Sequence, residues 1–67
     1  MHNHPLVSIT LITWNSIDVL KYTLEQIYLT NYPNYEVIIV DNGSSDGTPE
    51  MIERDFPKIR LVKLSKN

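Results

Sequence analysis

Cysteine is absent from this 67-residue chain. Disulfides, cysteine-based zinc sites and cysteine nucleophiles are therefore excluded together. Glycine is scarce as well: the 2 glycines both lie in Asn42-Gly43-Ser44-Ser45-Asp46-Gly47. The turn after the first strand-like segment holds none, so a dinucleotide fingerprint cannot be written there, and no Lys-Ser or Lys-Thr follows the glycines as a P-loop requires. Charge of one sign is lacking: the net charge of -2 supplies no field for nucleic acid or an acidic membrane surface. The longest aliphatic run is Val37-Ile38-Ile39-Val40, far short of the ~20 residues of a membrane helix. Met1 to Pro5 lead directly into a strand-like run without the pattern of a signal peptide. The expectation is a cytoplasmic, globular piece. His2 and His4, in the tail, are too few for a metal site.

What remains reads as an ordinary folded chain, with 42% hydrophobic and 21% charged residues. Val7 to Thr13 is β-branched and free of Gly and Pro, which predicts a strand near residues 6–13. Asn15 or Ser16 is placed to cap a following helix over about 16–30, whose apolar stripe is Ile17, Leu20, Leu24, Ile27 and Tyr28. Tyr35 to Asp41 predicts a second strand, with the nearly continuous apolar run of a parallel strand. Thr48 as cap with Pro49 at the first helical position starts a short helix over 48–56, stopped by Pro57. Ile59 to Leu64 is the third strand.

The order is thus β-α-β-α-β, an α/β fold with three parallel strands in order 3-2-1. Right-handed crossovers put both helices on one face. The other face is left bare, although parallel sheets are normally covered on both. Either the chain opens a larger domain, or a partner such as a second copy covers that face. The expected core is Val7, Ile9, Leu11, Leu20, Leu24, Ile27, Val37, Ile39, Ile52, Phe56 and Leu61.

Ligands of open α/β sheets bind beyond the carboxyl ends of the strands. Thr13-Trp14-Asn15-Ser16 and Asp41 to Gly47 lie there. An EF-hand counted from Asp41 fails, because its sixth position is Asp46 instead of Gly and its twelfth is Ile52 instead of Glu. Asp41 has two readings. It accepts from a ligand, such as a ribose hydroxyl or a pyrimidine ring N–H, or it satisfies turn amides in its own loop. Trp14 either stacks on a base or caps the core, and the core reading leads. Asp46 is placed to satisfy free amides at the start of the second helix. Lys58, Arg60, Lys63 and Lys66 make a basic, solvated edge.

Pro5 to Ser16 together with Tyr35-Glu36-Val37-Ile38-Ile39-Val40-Asp41-Asn42-Gly43-Ser44-Ser45-Asp46-Gly47-Thr48 resembles the opening of a family 2 glycosyltransferase with the A-type fold. The resemblance runs from about Pro5 to Asn67. It implies a Rossmann-like nucleotide-binding front half, so that residues 1–67 are a partial nucleotide-sugar-binding domain, with 1–5 as a tail and truncation after the third strand. It implies an enzyme that moves a sugar from a nucleoside diphosphate sugar to a saccharide or lipid-linked acceptor, in polysaccharide or glycoconjugate synthesis. By position, Thr13, Trp14 and Asn15 would line the nucleoside pocket and Asp41 would bond the base or ribose. Trp14 stands where Tyr is common, so a phenol hydroxyl is lost. Asn67 stands where the family often begins a further loop. A divalent metal, Mg or Mn, is implied for the whole enzyme, held by an Asp-x-Asp that occurs nowhere here, and no catalytic residue is implied in this stretch. The fragment alone is expected to be inert, and the parent is expected in the cytoplasm or peripheral at the cytoplasmic membrane face. The competing expectation is a non-catalytic nucleotide-binding or dimerising scaffold.

Overall fold

A computed structural model describes residues 4–65. Its elements follow in the expected order: β1 (Val7–Thr13), α1 (Ile17–Tyr28), β2 (Tyr35–Asn42), α2 (Thr48–Asp55) and β3 (Arg60–Leu64). The sheet order is β1-β2-β3, the expected 3-2-1 seen from the other edge, and both pairings are parallel. Gly43 takes φ 75°, but the chain leaves it for a helix and does not fold back as a hairpin.

Alternation along β2 decides where the core sits. Val37, Ile39 and Asp41 are buried, whereas Ile38 and Val40 between them are half-buried. Leu20 and Leu24 of α1 join Met51 and Ile52 of α2, together with Val37, Ile39, Phe56 and Ile59, in one buried cluster. Both helices therefore share a face of the sheet. Val7, expected in the core, is 44% exposed, and Ile9, Leu11, Ile27 and Leu61 only pack against the cluster half-buried. For the strand residues the reason is position: among the described residues β1 and β3 are edges and β2 has a strand on each side, whereas Ile27 lies in the last turn of α1. On the opposite face Ile12, Val40 and Val62 form one register row. Ile12 is 78% exposed there, and Val62 and Leu64 are exposed beside it.

The helix ends correct two expectations. Ser16 makes no side-chain cap bond to α1, and its hydroxyl donates to the Trp14 carbonyl at 2.7 Å. The residue flanking α2 is Gly47 at φ 90°, not Thr48, which lies inside the helix with Pro49. At its other end α2 stops at Phe56, whose φ -134° and ψ 62° lie outside the helical region that a following proline disfavours. Helix α1 closes at Tyr28, short of residue 30, and Leu29 N–H donates to the Gln26 carbonyl at 3.2 Å. Among the described residues no helix is long and apolar enough to cross a membrane.

Candidate functional site

Parallel neighbours end side by side, and Thr13 and Asp41 are register partners at the last step of β1 against β2. Both point to the helix-covered side and both are buried, Asp41 to 1% exposure. A carboxylate that deep must be compensated, because a buried charge without partners is costly. Three donors reach it. Thr13 Oγ1 donates to Oδ1 at 2.8 Å, Ser44 Oγ donates to the same oxygen at 2.6 Å, and Ser44 N–H donates to Oδ2 at 2.9 Å. A carboxylate offers about four lone-pair sites, so one remains on Oδ2. Asp41 thus closes its own loop, as the turn reading has it.

The two loops clasp each other. Asn15 N–H donates to Ser44 Oγ at 2.8 Å, and Ser45 N–H donates to Asn15 Oδ1 at 2.7 Å. Asn15 sits at φ 46°, a left-handed conformation that asparagine tolerates better than most residues. Trp14, beside it, is 59% exposed, which overturns the reading of this ring as a core cap. Its indole lies open to solvent at the sheet's carboxyl end.

Asp46 does more than shape its loop. Its Oδ1 accepts from Thr48 N–H at 3.0 Å and from the Thr48 hydroxyl, while Oδ2 accepts from Ile17 N–H at 3.1 Å. One carboxylate caps the N-termini of both helices, where negative charge meets the positive end of each helix dipole. The bond from the Thr48 hydroxyl, with the Ile17 and Thr48 amides behind it, holds the Asp46 carboxyl below the ordinary carboxylate value. A shallow hollow lined by Asn15, Ser16, Ile17, Asp18, Val19 and Asp46 opens beside these groups. A larger one, between Tyr28, Tyr35 and Lys58, lies at the opposite end of the strands.

The structure therefore brings together all four sequence-derived site residues, Thr13, Trp14, Asn15 and Asp41. Sequence reasoning missed Ser44, which joins Asp41 to Asn15, and it missed the Asp46 bond to Ile17. A serine in a loop of turn residues carries no mark of its partner, and a cap supplied from 29 positions away leaves no local signature. No group of three or more His, Cys, Asp or Glu side chains could hold a metal among the described residues. Asp41 and Asp46 are both committed to internal donors. The residues present do not fit a divalent ion. Lys63 of the basic edge pairs with Glu53 at 3.1 Å, His4 lies edge-on to Tyr32, and His2, Lys66 and Asn67 fall outside the described residues.

In a parallel α/β sheet this carboxyl end, with its buried acid and exposed aromatic, is where ligands bind. The family model described as glycosyl transferase family 2 matches residues 8–67, and the chain belongs to that family. Glycosyltransferase AglE of Haloferax volcanii is 41% identical over 54 residues, which are 78% of this chain and 17% of that protein. Poly-beta-1,6-N-acetyl-D-glucosamine synthase of Staphylococcus epidermidis is 38% identical over 64 residues, 91% of this chain and 15% of that protein. Among solved structures, the mannosyltransferase PcManGT of Pyrobaculum calidifontis, in complex with GDP-mannose and Mn2+, superposes with a TM-score of 0.73 at 30% identity. That match covers 91% of this chain and 19% of the mannosyltransferase. The chain thus spans less than a fifth of each of these three proteins.

Proposed function

We propose that this chain is the nucleoside-binding front of an A-type glycosyltransferase domain, in a protein that moves a sugar from a nucleoside diphosphate sugar to a saccharide or lipid-linked acceptor. The observation that carries the reading is the place of Asp41: its carboxylate ends β2 bonded to the Thr13 hydroxyl, beside the turn that bears the solvent-open Trp14. A carboxylate accepts and does not donate, so it selects a ring N–H or a ribose hydroxyl. Trp14 offers a face on which a base stacks, and Thr13 and Asn15 hold the walls. The polysaccharide synthase and the GDP-mannose complex among the relatives support the donor class and the reaction.

Sugar transfer itself would draw on residues beyond these. The leaving diphosphate develops charge that must be stabilised, and the described residues hold no metal-binding cluster for it. A divalent metal would accordingly be held elsewhere in such an enzyme, and the 67 residues alone are inert as a catalyst on this reading. Calorimetric titration of UDP, dTDP and GDP against the full-length protein tests the pocket. At least one should bind, and Asp41→Asn should weaken it by ~1–3 kcal/mol, the worth of a charged hydrogen bond. Equal affinity in wild type and variant would reduce Asp41 to a turn residue.

The exposed apolar patch of Ile12, Val62 and Leu64 favours a second reading, a dimerising scaffold that buries this face against another copy. Sedimentation of the isolated chain separates the two. A compact, cooperatively melting dimer supports the scaffold, and an aggregating or molten monomer supports the enzyme part.

A further inference from the structure

One hydroxyl joins the two halves of the site. Ser44 Oγ donates to Asp41 Oδ1 at 2.6 Å and accepts the Asn15 N–H at 2.8 Å, and Ser44 N–H donates to Asp41 Oδ2 at 2.9 Å. Asp41 ends β2 and Asn15 follows β1, so Ser44 is the link by which the orientation of the acid and the path of the first turn depend on each other. That turn is in an uncommon backbone state, with Asn15 at φ 46°. Such states persist only where the surroundings over-determine them, and they gather at ligand sites. Here the determinants are the Ser44 hydroxyl on the Asn15 amide and the Ser45 amide on Asn15 Oδ1.

We propose that Ser44 is a positioning residue: it latches the Asn15 backbone to the Asp41 carboxylate and thereby holds Trp14 and Asp41 at a fixed separation across the crevice. The inference rests on the nucleoside-pocket reading and extends it, since Ser44 would act through Asn15 and Asp41. Without the latch, Asn15 is free to leave the left-handed region and to carry the neighbouring indole with it. Asp41 then loses one of its three donors and keeps the Thr13 hydroxyl and the Ser44 amide. The base-stacking ring and the acceptor carboxylate would no longer be presented together, and a ligand would have to order them at a cost in affinity.

The test uses the full-length protein as wild type, Ser44→Ala, Ser44→Thr and Asn15→Ala. Two readouts are taken: amide hydrogen exchange at Asn15 without ligand, and affinity for UDP and GDP by calorimetry. Ser44→Ala should speed Asn15 exchange and weaken the preferred nucleotide, each by about tenfold, the scale of one net hydrogen bond. Ser44→Thr, which keeps the hydroxyl, should recover most of both. Asn15→Ala removes the Ser45 clasp from the other side and should weaken the nucleotide comparably, so the proposal stays testable if Ser44→Ala folds poorly. Unchanged exchange at Asn15 in Ser44→Ala would show that there is no latch. Unchanged nucleotide affinity in Ser44→Ala would show a latch with no positioning role. A wild type that binds neither nucleotide would overturn the nucleoside reading itself, a result distinct from both.

Discussion

Thr13 and Asp41 face each other across the β1–β2 pair, and the threonine hydroxyl donates to the buried carboxylate at 2.8 Å. The bond runs between side chains 28 positions apart, and it fixes the acid at the end of one strand by a group at the end of the next. Thr13→Val keeps the shape and removes the donor. Asp41 Oδ1 still has the Ser44 hydroxyl, so no buried oxygen is orphaned. The expected loss is ~1 kcal/mol in a urea melt. Asp41→Ala should cost more, because it leaves the Thr13 hydroxyl and the Ser44 amide without their acceptor. Equal losses would mean that these donors find other partners.

Gly47 should resist replacement for a backbone reason. A Cβ there would meet Ile17 Cδ1 at 3.7 Å, an ordinary contact, yet φ is +90°. Gly47→Ala is expected to destabilise by ~1–2 kcal/mol, the left-handed penalty of an L-residue. Gly47→Asn should cost less. Thermal melts of the two variants check the order, and the reverse order would point to crowding instead.

Leu24 has no exposed surface and lies at the centre of the cluster. Leu24→Ala should cost ~2–5 kcal/mol, measured by chemical denaturation. A small loss would show that α1 packs less tightly than this burial implies.

Asp46 gives the stability an acid dependence of known sign. Its carboxyl lies below the ordinary value in the folded chain, chiefly through the Thr48 hydroxyl. Its contribution is therefore complete above the unfolded carboxylate range, about pH 4, and is lost as pH falls through the lower folded value. Melting temperature followed from pH 6 down to about pH 2 should fall more steeply in wild type than in Asp46→Asn across that range. Parallel curves would assign the acid loss to other carboxylates, such as Asp55, which Arg54 likewise holds below the usual value.

The sequence carried the element order and the strand pairing because they rest on local signals. These are β-branched runs for β1 and β2, a stripe of Leu20 and Leu24 for α1, and Pro57 as a stop. Thr13, Trp14, Asn15 and Asp41 were legible as neighbours because parallel strands of similar length end together. Exposure was harder to read. Val7 looks like a core residue in the sequence and is exposed because its strand is an edge, and Trp14 was placed under the core although it projects from the sheet end. Caps misled for a related reason: Ser16 is the right residue type in the right place, but its hydroxyl turns back to Trp14 O and the carboxylate of Asp46 takes the work. Long-range side-chain pairings follow from the tertiary path, and no window of residues contains them.

The sheet is laid down in chain order, each strand beside the one made just before it. Among the described residues no strand waits for a later one to be inserted between it and its neighbour. The β1–β2 pair and the helix that joins them can close as soon as residue 42 has left the ribosome, and β3 then adds to a finished edge. Because Thr13, Asn15 and Asp41 all lie within that first unit, most of the crevice can be in place early in synthesis. Its Ser44 and Asp46 fastenings arrive within the next few residues, and translation order and assembly order coincide.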